Sequence, residues 1–388
     1  MHDVIVIGGG PSGLHTARRL SAEGLDVVLL ERKSEIGKDI ICTGIVGKDI
    51  FNRFVLPASS IQNEIQAVRM VSPFDTVIPY QHRESFACVV DREKFDRDLA
   101  ALTRSNGAAI KTGHKVLDVS IEKSGVKIIA ETRDNATRKF RSKIAILATG
   151  TDYRLNKKLG LGYPREFLNG IQTEVEVDEN LPSTIFVGKD VAPGAFAWAI
   201  PASGNRVRVG LLTEKEPKTY FRNLIQKLFP DKTNSITNGR IQSKPIAHGL
   251  LSKTYGNRVL LVGEAAGQIK TTTGGGVYYG LLCSDIASDV VLQRFEDGTF
   301  SAKDFVEYEK RWKKALQKEI QVGYYARKVG AWMSDSQMES LFQIAKTDEI
   351  LPLISEKGNF DWHSELILAL LKKVPFYKLA EIATLRSQ

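Results

Sequence analysis

The chain has 388 residues, with 54 Lys plus Arg against 45 Asp plus Glu, which gives a formal net charge of +9. Hydrophobic residues make up 43% and charged residues 26%, a globular composition that excludes a disordered tail, a collagen and a coiled coil. The basic residues are dispersed and no nucleic-acid-binding motif is present, so we expect no nucleic-acid partner. The apolar runs are far shorter than the ~20 residues that cross a bilayer.

Cysteine usage indicates the cellular setting. Cys42, Cys88 and Cys283 are far apart and form no CxxC pair, and the histidines show no metal-ligand spacing. We therefore expect no disulfide framework, no metal site, and a reducing, cytoplasmic location.

The first predicted elements form a β-α-β unit. Residues 4–7 are an apolar, β-branched run typical of a buried parallel strand, residues 14–24 carry helix formers, and residues 26–30 form a second strand. Residues 8–13, GGGPSG, lie between the first strand and the helix and match GxGxxG. A glycine turn in this context predicts a dinucleotide-binding site.

The residues of this unit have separate physical roles. Gly8 permits the tight turn, Gly10 lets the backbone approach a pyrophosphate, and Gly13 lets the helix pack close to the strand. Unpaired N–H groups at the helix N-terminus, including that of Ser12, favour the phosphates. Glu31 ends the second strand, where a carboxylate accepts hydrogen bonds from ribose hydroxyls.

Three later segments are typical of flavin enzymes. Residues 91–99 match a helix-start pattern that contains Arg92, residues 143–150 form an apolar strand ending in Ala-Thr-Gly, and residues 258–267 form a strand that runs into Gly-Glu-Ala-Ala-Gly. With the glycine turn, these markers resemble the p-hydroxybenzoate-hydroxylase-like FAD superfamily. A second GxGxxG is absent, which excludes a second nucleotide domain of glutathione-reductase type.

Within that superfamily, the chain is most similar to the geranylgeranyl reductase family, which includes archaeal digeranylgeranylglycerophospholipid reductases. Residues 41–45, ICTGI, resemble the family's Cys-x-Gly-Gly turn beside the flavin, with Ile45 in place of the second glycine. Residues 196–201, FAWAIP, resemble its substrate motif, an aromatic-x-Trp-x-apolar-Pro sequence followed by a glycine pair. Gly210 matches the first of these glycines and Leu212 replaces the second.

The resemblance implies FAD as the cofactor and gives roles to individual residues. Arg92 would reach the pyrophosphate or the flavin, Glu264 would bind ribityl and ribose hydroxyls where the superfamily carries Asp, and Val116 would bond adenine through its backbone. The cofactor-binding candidates are Gly8, Gly10, Ser12, Gly13, Glu31, Arg32, Cys42, Thr43, Arg92, Val116, Gly150, Glu264, Gly275, Gly276 and Val277. The catalytic candidate is Cys42, and the substrate-binding candidates are Phe196, Trp198 and Pro201.

The flavin ring itself is expected at residues 271–277. Small residues there let backbone N–H groups approach a flat ring, and the N-terminus of the helix predicted over residues 277–292 would stabilise negative charge on a reduced flavin.

Plainer interpretations stay open for several of these residues. Cys42 can be a small buried hydrophobe. Phe196 and Trp198 share one strand face and can be ordinary core. Arg92 can belong to a helix surface with i,i+4 charge pairing.

We predict an α/β fold with three parts. A Rossmann-like FAD-binding domain with a parallel sheet is expected to be discontinuous over residues 1–65, 88–165 and 250–300. Residues 66–87 and 166–249 are expected to form a mixed β-sheet substrate domain. Residues 301–388 are expected to be helical, and residues 362–385, which mix apolar residues, lysines and Pro375, form either an ordinary cap or an element at a membrane surface.

The predicted function is reduction of C=C bonds in isoprenoid chains by hydride from reduced flavin N5. The expected partners are an isoprenoid or lipid substrate, an electron donor such as NAD(P)H or ferredoxin, and a membrane surface at which the protein is peripheral. A flavin-dependent halogenase or hydroxylase is the alternative enzyme. A prenyl-group carrier of GDP-dissociation-inhibitor type is the alternative that is not an enzyme.

Overall fold

The computed structural model describes residues 1–179, 181–346 and 350–373. The strands are β1 His2–Ile7, β2 Val27–Leu30, β3 Ile45–Gly47, β4 Ile61–Ile65, β5 Ala67–Val71, β6 Val77–Gln81, β7 Ala87–Val90, β8 Ala109–Lys111, β9 Lys115–Ile121, β10 Val126–Glu131, β11 Thr137–Leu147, β12 Glu166–Glu176, β13 Thr184–Phe186, β14 Ala197–Pro201, β15 Arg206–Thr213, β16 Gln242–His248, β17 Tyr255–Gly256 and β18 Val259–Leu261. The α-helices are α1 Pro11–Ala22, α2 Ile50–Arg53, α3 Arg92–Ser105, α4 Arg154–Lys158, α5 Pro217–Leu228, α6 Thr233–Thr237, α7 Val277–Asp297, α8 Val306–Trp332, α9 Asp335–Ala345, α10 Ile350–Lys357 and α11 Ser364–Lys373.

The first sheet carries the predicted dinucleotide-binding unit. Its strand order is β17-β18-β11-β1-β2-β8; in addition, β10 pairs antiparallel with β11, and β9 pairs antiparallel with β10. β1 lies in the middle and pairs in parallel with both β11 and β2. The parts of these strands that pair in the middle of the sheet, residues 4–7, 27–30 and 144–147, are apolar and buried, as is typical where both faces of a sheet are covered. One face packs against α1, α3, α7 and α8, and the other packs against β9 and β10.

The second sheet is mixed. Its order is β16-β12-β15-β14-β13-β5-β6, antiparallel except where β13 pairs with β5. One face packs against α5. The opposite face carries Trp198, Leu212 and Ile246, which form a second apolar cluster with Tyr153 and Ile269 from the first unit. This face of the sheet therefore lies toward the cofactor side of the molecule, and the predicted fold class is confirmed.

A third, three-stranded sheet has the order β3-β7-β4. β7 begins at Ala87, so it crosses the predicted boundary between residues 87 and 88. The division of the chain into domains remains our proposal.

The C-terminal region is helical where it is described. α8 runs for 27 residues and buries Tyr308, Trp312, Leu316 and Ile320 against the first unit. α11 covers the first part of the predicted membrane-surface element, and residues 374–385, including Pro375, lie outside the described residues. None of the helices in the described ranges combines the length and the apolar character that crossing a membrane would need.

Candidate active site

A cleft at the carboxyl ends of the parallel strands brings most of the predicted cofactor-binding residues together. It consists of an outer cavity of about 400 Å³ and an inner cavity of about 210 Å³, which share Gly10, Gly150 and Glu264 in their walls. The outer cavity also carries Gly8, Glu31, Arg32 and Val116. The inner cavity also carries Ser12, Gly13, Cys42, Arg92, Gly275, Gly276 and Val277.

The glycine turn between β1 and α1 has the geometry that the sequence predicts. Gly8 has φ +113°, and a Cβ at Gly13 would collide with the Gly8 carbonyl oxygen. A Cβ at Gly10 would meet no atom within 4 Å, so this residue faces open space in the cleft. The first turn of α1 has no side-chain cap and no acidic residue, which leaves its N–H groups available to an anion.

Glu31 closes this turn as well as lining the cleft. Its Oε2 accepts a hydrogen bond from the Gly9 N–H at 2.6 Å, and its Oε1 accepts one from the Lys33 N–H at 2.8 Å. The carboxylate is therefore held in place at the wall of the outer cavity. The open face of Gly10, the exposed helix N-terminus and this carboxylate together fit the pyrophosphate and ribose of FAD.

Arg92 has features of both interpretations that the sequence left open. Its guanidinium binds both carboxylate oxygens of Asp96, four residues later, at 3.0–3.1 Å. The two side chains are only 11% and 3% exposed, so the pair is buried and is not a helix surface; Arg92 lines the inner cavity and Asp96 lines the outer cavity. Asp91 caps the same helix by accepting a hydrogen bond from the Lys94 N–H.

Cys42 lies partly buried between the inner cavity and a polar cavity of about 450 Å³. The Gly44 N–H lies 3.3 Å from its Sγ. Burial alone would raise the pKa of the Cys42 thiol, but the Arg92 guanidinium and the Gly44 N–H outweigh burial, and the pKa lies below its usual value. Thr43, the next residue of this turn, is not among the residues that line the outer or inner cavity, and its carbonyl accepts a hydrogen bond from Arg208 at 2.6 Å.

Two charged contacts at the cleft involve lysines that sequence reasoning missed. Lys244, on β16, lies 3.2 Å from Glu264 and lines both cavities. Lys270 lies 2.8 Å from Asp361 in the wall of the inner cavity. No local motif marks either lysine; the position of Lys270 directly before the Thr-Thr-Thr-Gly-Gly-Gly segment was the available signal.

The three predicted substrate-binding residues lie in different environments in the structure. Phe196 lines an apolar cavity of about 450 Å³ together with Thr272 and Thr273. Trp198 is 6% exposed, its ring lies 5.8 Å from that of Phe196, and it packs against Gly210. Pro201 ends β14 and its carbonyl accepts a long hydrogen bond from Asn63.

Comparisons with known proteins found an oxidoreductase family and several similar reductases. The family described as "Pyridine nucleotide-disulphide oxidoreductase" matches residues 2–181. Digeranylgeranylglycerophospholipid reductase 1 of Methanococcoides burtonii is 27% identical over 88% of this chain and 86% of its own length. A geranylgeranyl bacteriochlorophyll reductase-like protein from Thermoplasma acidophilum has a similar crystal structure, with a TM-score of 0.85, 23% identity and 99% coverage of each chain.

A more distant solved structure shares the fold. The halogenase PltM in complex with FAD has a TM-score of 0.67 and 16% identity, and the match covers 97% of this chain and 86% of that chain. With the oxidoreductase family match and the curated reductase relatives, the chain is an FAD-dependent oxidoreductase. The predicted cofactor and the predicted resemblance of this oxidoreductase to the geranylgeranyl reductase family are confirmed.

Proposed function

We propose that this oxidoreductase reduces C=C bonds of isoprenoid chains. The observation that carries the proposal is the apolar cavity beside the loop at residues 271–276. That loop contributes Thr272 and Thr273 to the apolar cavity and Gly274, Gly275 and Gly276 to the inner cavity of the cofactor cleft. A chain held in the apolar cavity would therefore have only this loop to pass before its double bond reaches the inner cavity, where Cys42 and the expected flavin site lie.

The apolar cavity suits an extended hydrocarbon. Small side chains leave its space open, and they come from two elements that face each other: Gly188, Ala192, Gly194 and Ala195 on one side, and Ala326, Gly330 and Ala331 of α8 on the other. Burying hydrocarbon in such a cavity is favourable by roughly 0.8 kcal/mol for each methylene. The similarity to digeranylgeranylglycerophospholipid reductases supports an isoprenoid lipid as the substrate.

When bound and reduced, FAD supplies the hydride for one alkene carbon. The chain must hold a proton for the other carbon, because an unactivated alkene does not accept hydride without it. We propose Cys42 Sγ as that atom. It lines the inner cavity and also the polar cavity that contains Gln62 and Gln172, which gives it access to protons from solvent.

Anaerobic turnover tests the proposal directly. Holo-protein reduced with dithionite should convert geranylgeranyl lipid to products that gain two hydrogen atoms for each double bond, measured by mass spectrometry. Comparing NADPH, NADH and reduced ferredoxin then identifies the electron donor. Cys42→Ser should retain FAD and lose turnover. Products formed only with oxygen, or with oxygen and halide, would contradict the proposal and favour a hydroxylase or a halogenase.

We also propose that the protein is peripheral at a membrane surface. At the end of α11, Leu371 is 59% exposed and is followed by the exposed Lys372 and Lys373. An apolar anchor beside two cations suits an anionic bilayer. The full chain should sediment with anionic vesicles, and changing both lysines to Glu should abolish sedimentation. Equal sedimentation of the two proteins would contradict this proposal.

A further inference from the structure

A buried ion pair forms part of the wall of the inner cavity. Lys270 Nζ lies 2.8 Å from Asp361 Oδ1, and each side chain is only 6% exposed. Removing two charges from water costs several kcal/mol for each ion, and a buried pair is weak evidence for stability. Its position at the cofactor cleft therefore points to an electrostatic role.

The pair has a definite orientation. A Cβ built on Gly275 would lie 2.9 Å from Lys270 Cε and 3.5 Å from Lys270 Nζ, whereas a Cβ built on Gly47 would collide with Asp361 Oδ2. The positive end thus lies against the loop of residues 271–276, and the negative end lies toward β3. Lys270 Nζ also donates a hydrogen bond to the Phe360 carbonyl at 2.9 Å and lies 4.1 Å from the centre of the Phe360 ring.

Both partners are fixed by further contacts. The Lys270 N–H donates to the Gly275 carbonyl, and the Lys270 carbonyl accepts from the Gly274 N–H, both at 2.8 Å. The Asp361 carbonyl accepts a hydrogen bond from Tyr279 Oη, also at 2.8 Å. The ammonium is therefore held at one point beside the loop instead of sampling solvent.

We infer that the Lys270 ammonium offsets the negative charge that reduction places on the flavin, and that the Asp361 carboxylate sets the strength of this effect. The inference rests on the proposed seating of the flavin ring against Gly275 and Gly276. The N-terminus of α7 begins at the same place and adds its partial positive charge. A low-dielectric wall strengthens both interactions, and charge near a flavin ring is an established way for a protein to tune its electronics.

The midpoint potential of the bound FAD, measured by spectroelectrochemistry on holo-protein, tests the inference. Lys270→Met should lower the potential because the positive end of the pair is removed. Asp361→Asn should raise it because the ammonium is no longer balanced. Lys270→Arg should stay near the wild-type potential. Sulfite, which adds to oxidised flavin and leaves negative charge on the ring, should bind more weakly to Lys270→Met.

The opposite signs separate charge from structure. A purely structural pair predicts that Lys270→Met and Asp361→Asn both lower the melting temperature or the FAD content, with the potential unchanged or shifted in one direction. An unchanged potential in both variants, or a shift of the potential in the same direction in both, would overturn the inference. Should a single variant fail to fold, the double variant Lys270→Met/Asp361→Asn can be used, because it leaves no unpaired charge. Its potential should still lie below that of the wild type. A potential equal to or above the wild-type value would overturn the inference.

A matched control lies outside the cleft. Lys313→Met breaks the ion pair of Lys313 with Glu309 on α8, where the two side chains are 2.9 Å apart, and should leave the potential unchanged. Failure of the proposed function would look different, because a holo-protein that does not reduce isoprenoids can still show the opposite shifts of potential.

Discussion

Lys244 Nζ lies 3.2 Å from Glu264 Oε2, and this contact joins the second sheet to the turn that follows β18 in the first sheet. Lys244 is on the edge strand β16, and Glu264 stands where the superfamily that the chain resembles carries Asp. The longer side chain of Glu264 therefore ends in a carboxylate that pairs with a cation. The second sheet supplies this cation, Lys244, which orients the carboxylate at the cofactor cleft.

Lys244→Met should weaken FAD binding. Both side chains are partly exposed, at 28% and 21%, so we expect a loss of about 1 kcal/mol, or about fivefold in Kd. Titration of apo-protein with FAD, followed by flavin fluorescence, measures this change. Lys218→Met, at an exposed position on α5, is the control and should leave Kd unchanged. A lower melting temperature with unchanged Kd would mean that the contact only braces the two sheets.

Gly276→Val should block seating of the flavin ring while the chain still folds. Gly276 has φ −124°, so left-handed backbone is not the reason for glycine there. A Cβ at this position would lie 2.8 Å from Ile269 Cγ2, and a branched side chain would also fill the inner cavity. We expect a loss of about 1–3 kcal/mol of FAD-binding free energy.

The Gly276 variants are measured by FAD content and by far-UV circular dichroism. Gly276→Ala is the matched variant and should retain most of its FAD, since a small shift of Ile269 accommodates one methyl group. Equal FAD content in the Ala and Val variants would place the ring elsewhere.

Phe196 and Trp198 should respond differently to truncation. Phe196 lines the apolar cavity, so Phe196→Ala should raise KM for long prenyl substrates more than for short ones and leave FAD content unchanged. Trp198 is buried in the cluster below that wall, so Trp198→Ala should cost about 3–5 kcal/mol of stability. Kinetics across chain lengths and thermal denaturation distinguish the two effects.

A chain-length effect in Trp198→Ala without loss of stability would show that Trp198 also contacts substrate, as its motif implies. Ala331→Phe on α8 is a complementary variant, because it fills the same cavity from the opposite side. It should shorten the longest chain that the enzyme accepts. Unchanged chain-length dependence in both Phe196→Ala and Ala331→Phe would exclude this cavity as the substrate site.

His248 should make the protein sensitive to acid. Burial lowers the pKa of His248 to about 4, and the positive charges of Arg327 and Lys328 act in the same direction. The negative charge of Glu166 opposes this shift only in part. The unfolded chain binds this proton below pH ~6.5 while the folded chain does not, so stability is lost as pH falls, by about 2 kcal/mol between about pH 7 and about pH 5. Thermal denaturation of wild type and His248→Gln at both pH values checks this, since other titrating groups are common to both. An identical pH dependence would show that His248 is not responsible.

The sequence was sufficient to predict the β-α-β unit, the glycine turn and the cofactor class. These features depend on neighbouring residues: an apolar strand, glycines at fixed offsets and a helix start are all encoded within about thirty residues. The sequence also predicted a mixed sheet from residues 66–87 and 166–249, and strands β5, β6 and β12 to β16 lie within these ranges.

Only the tertiary structure decided which distant side chains meet at the cleft. Lys244 reaches Glu264 because β16 is the edge of the second sheet, and Asp361 reaches Lys270 because the segment before α11 returns to the first unit. The same holds for Phe196, which the fold places in a cavity wall, whereas Trp198, two residues later, packs into a core. Local propensity and periodicity do not determine such contacts, because they depend on how the sheets and helices pack against one another.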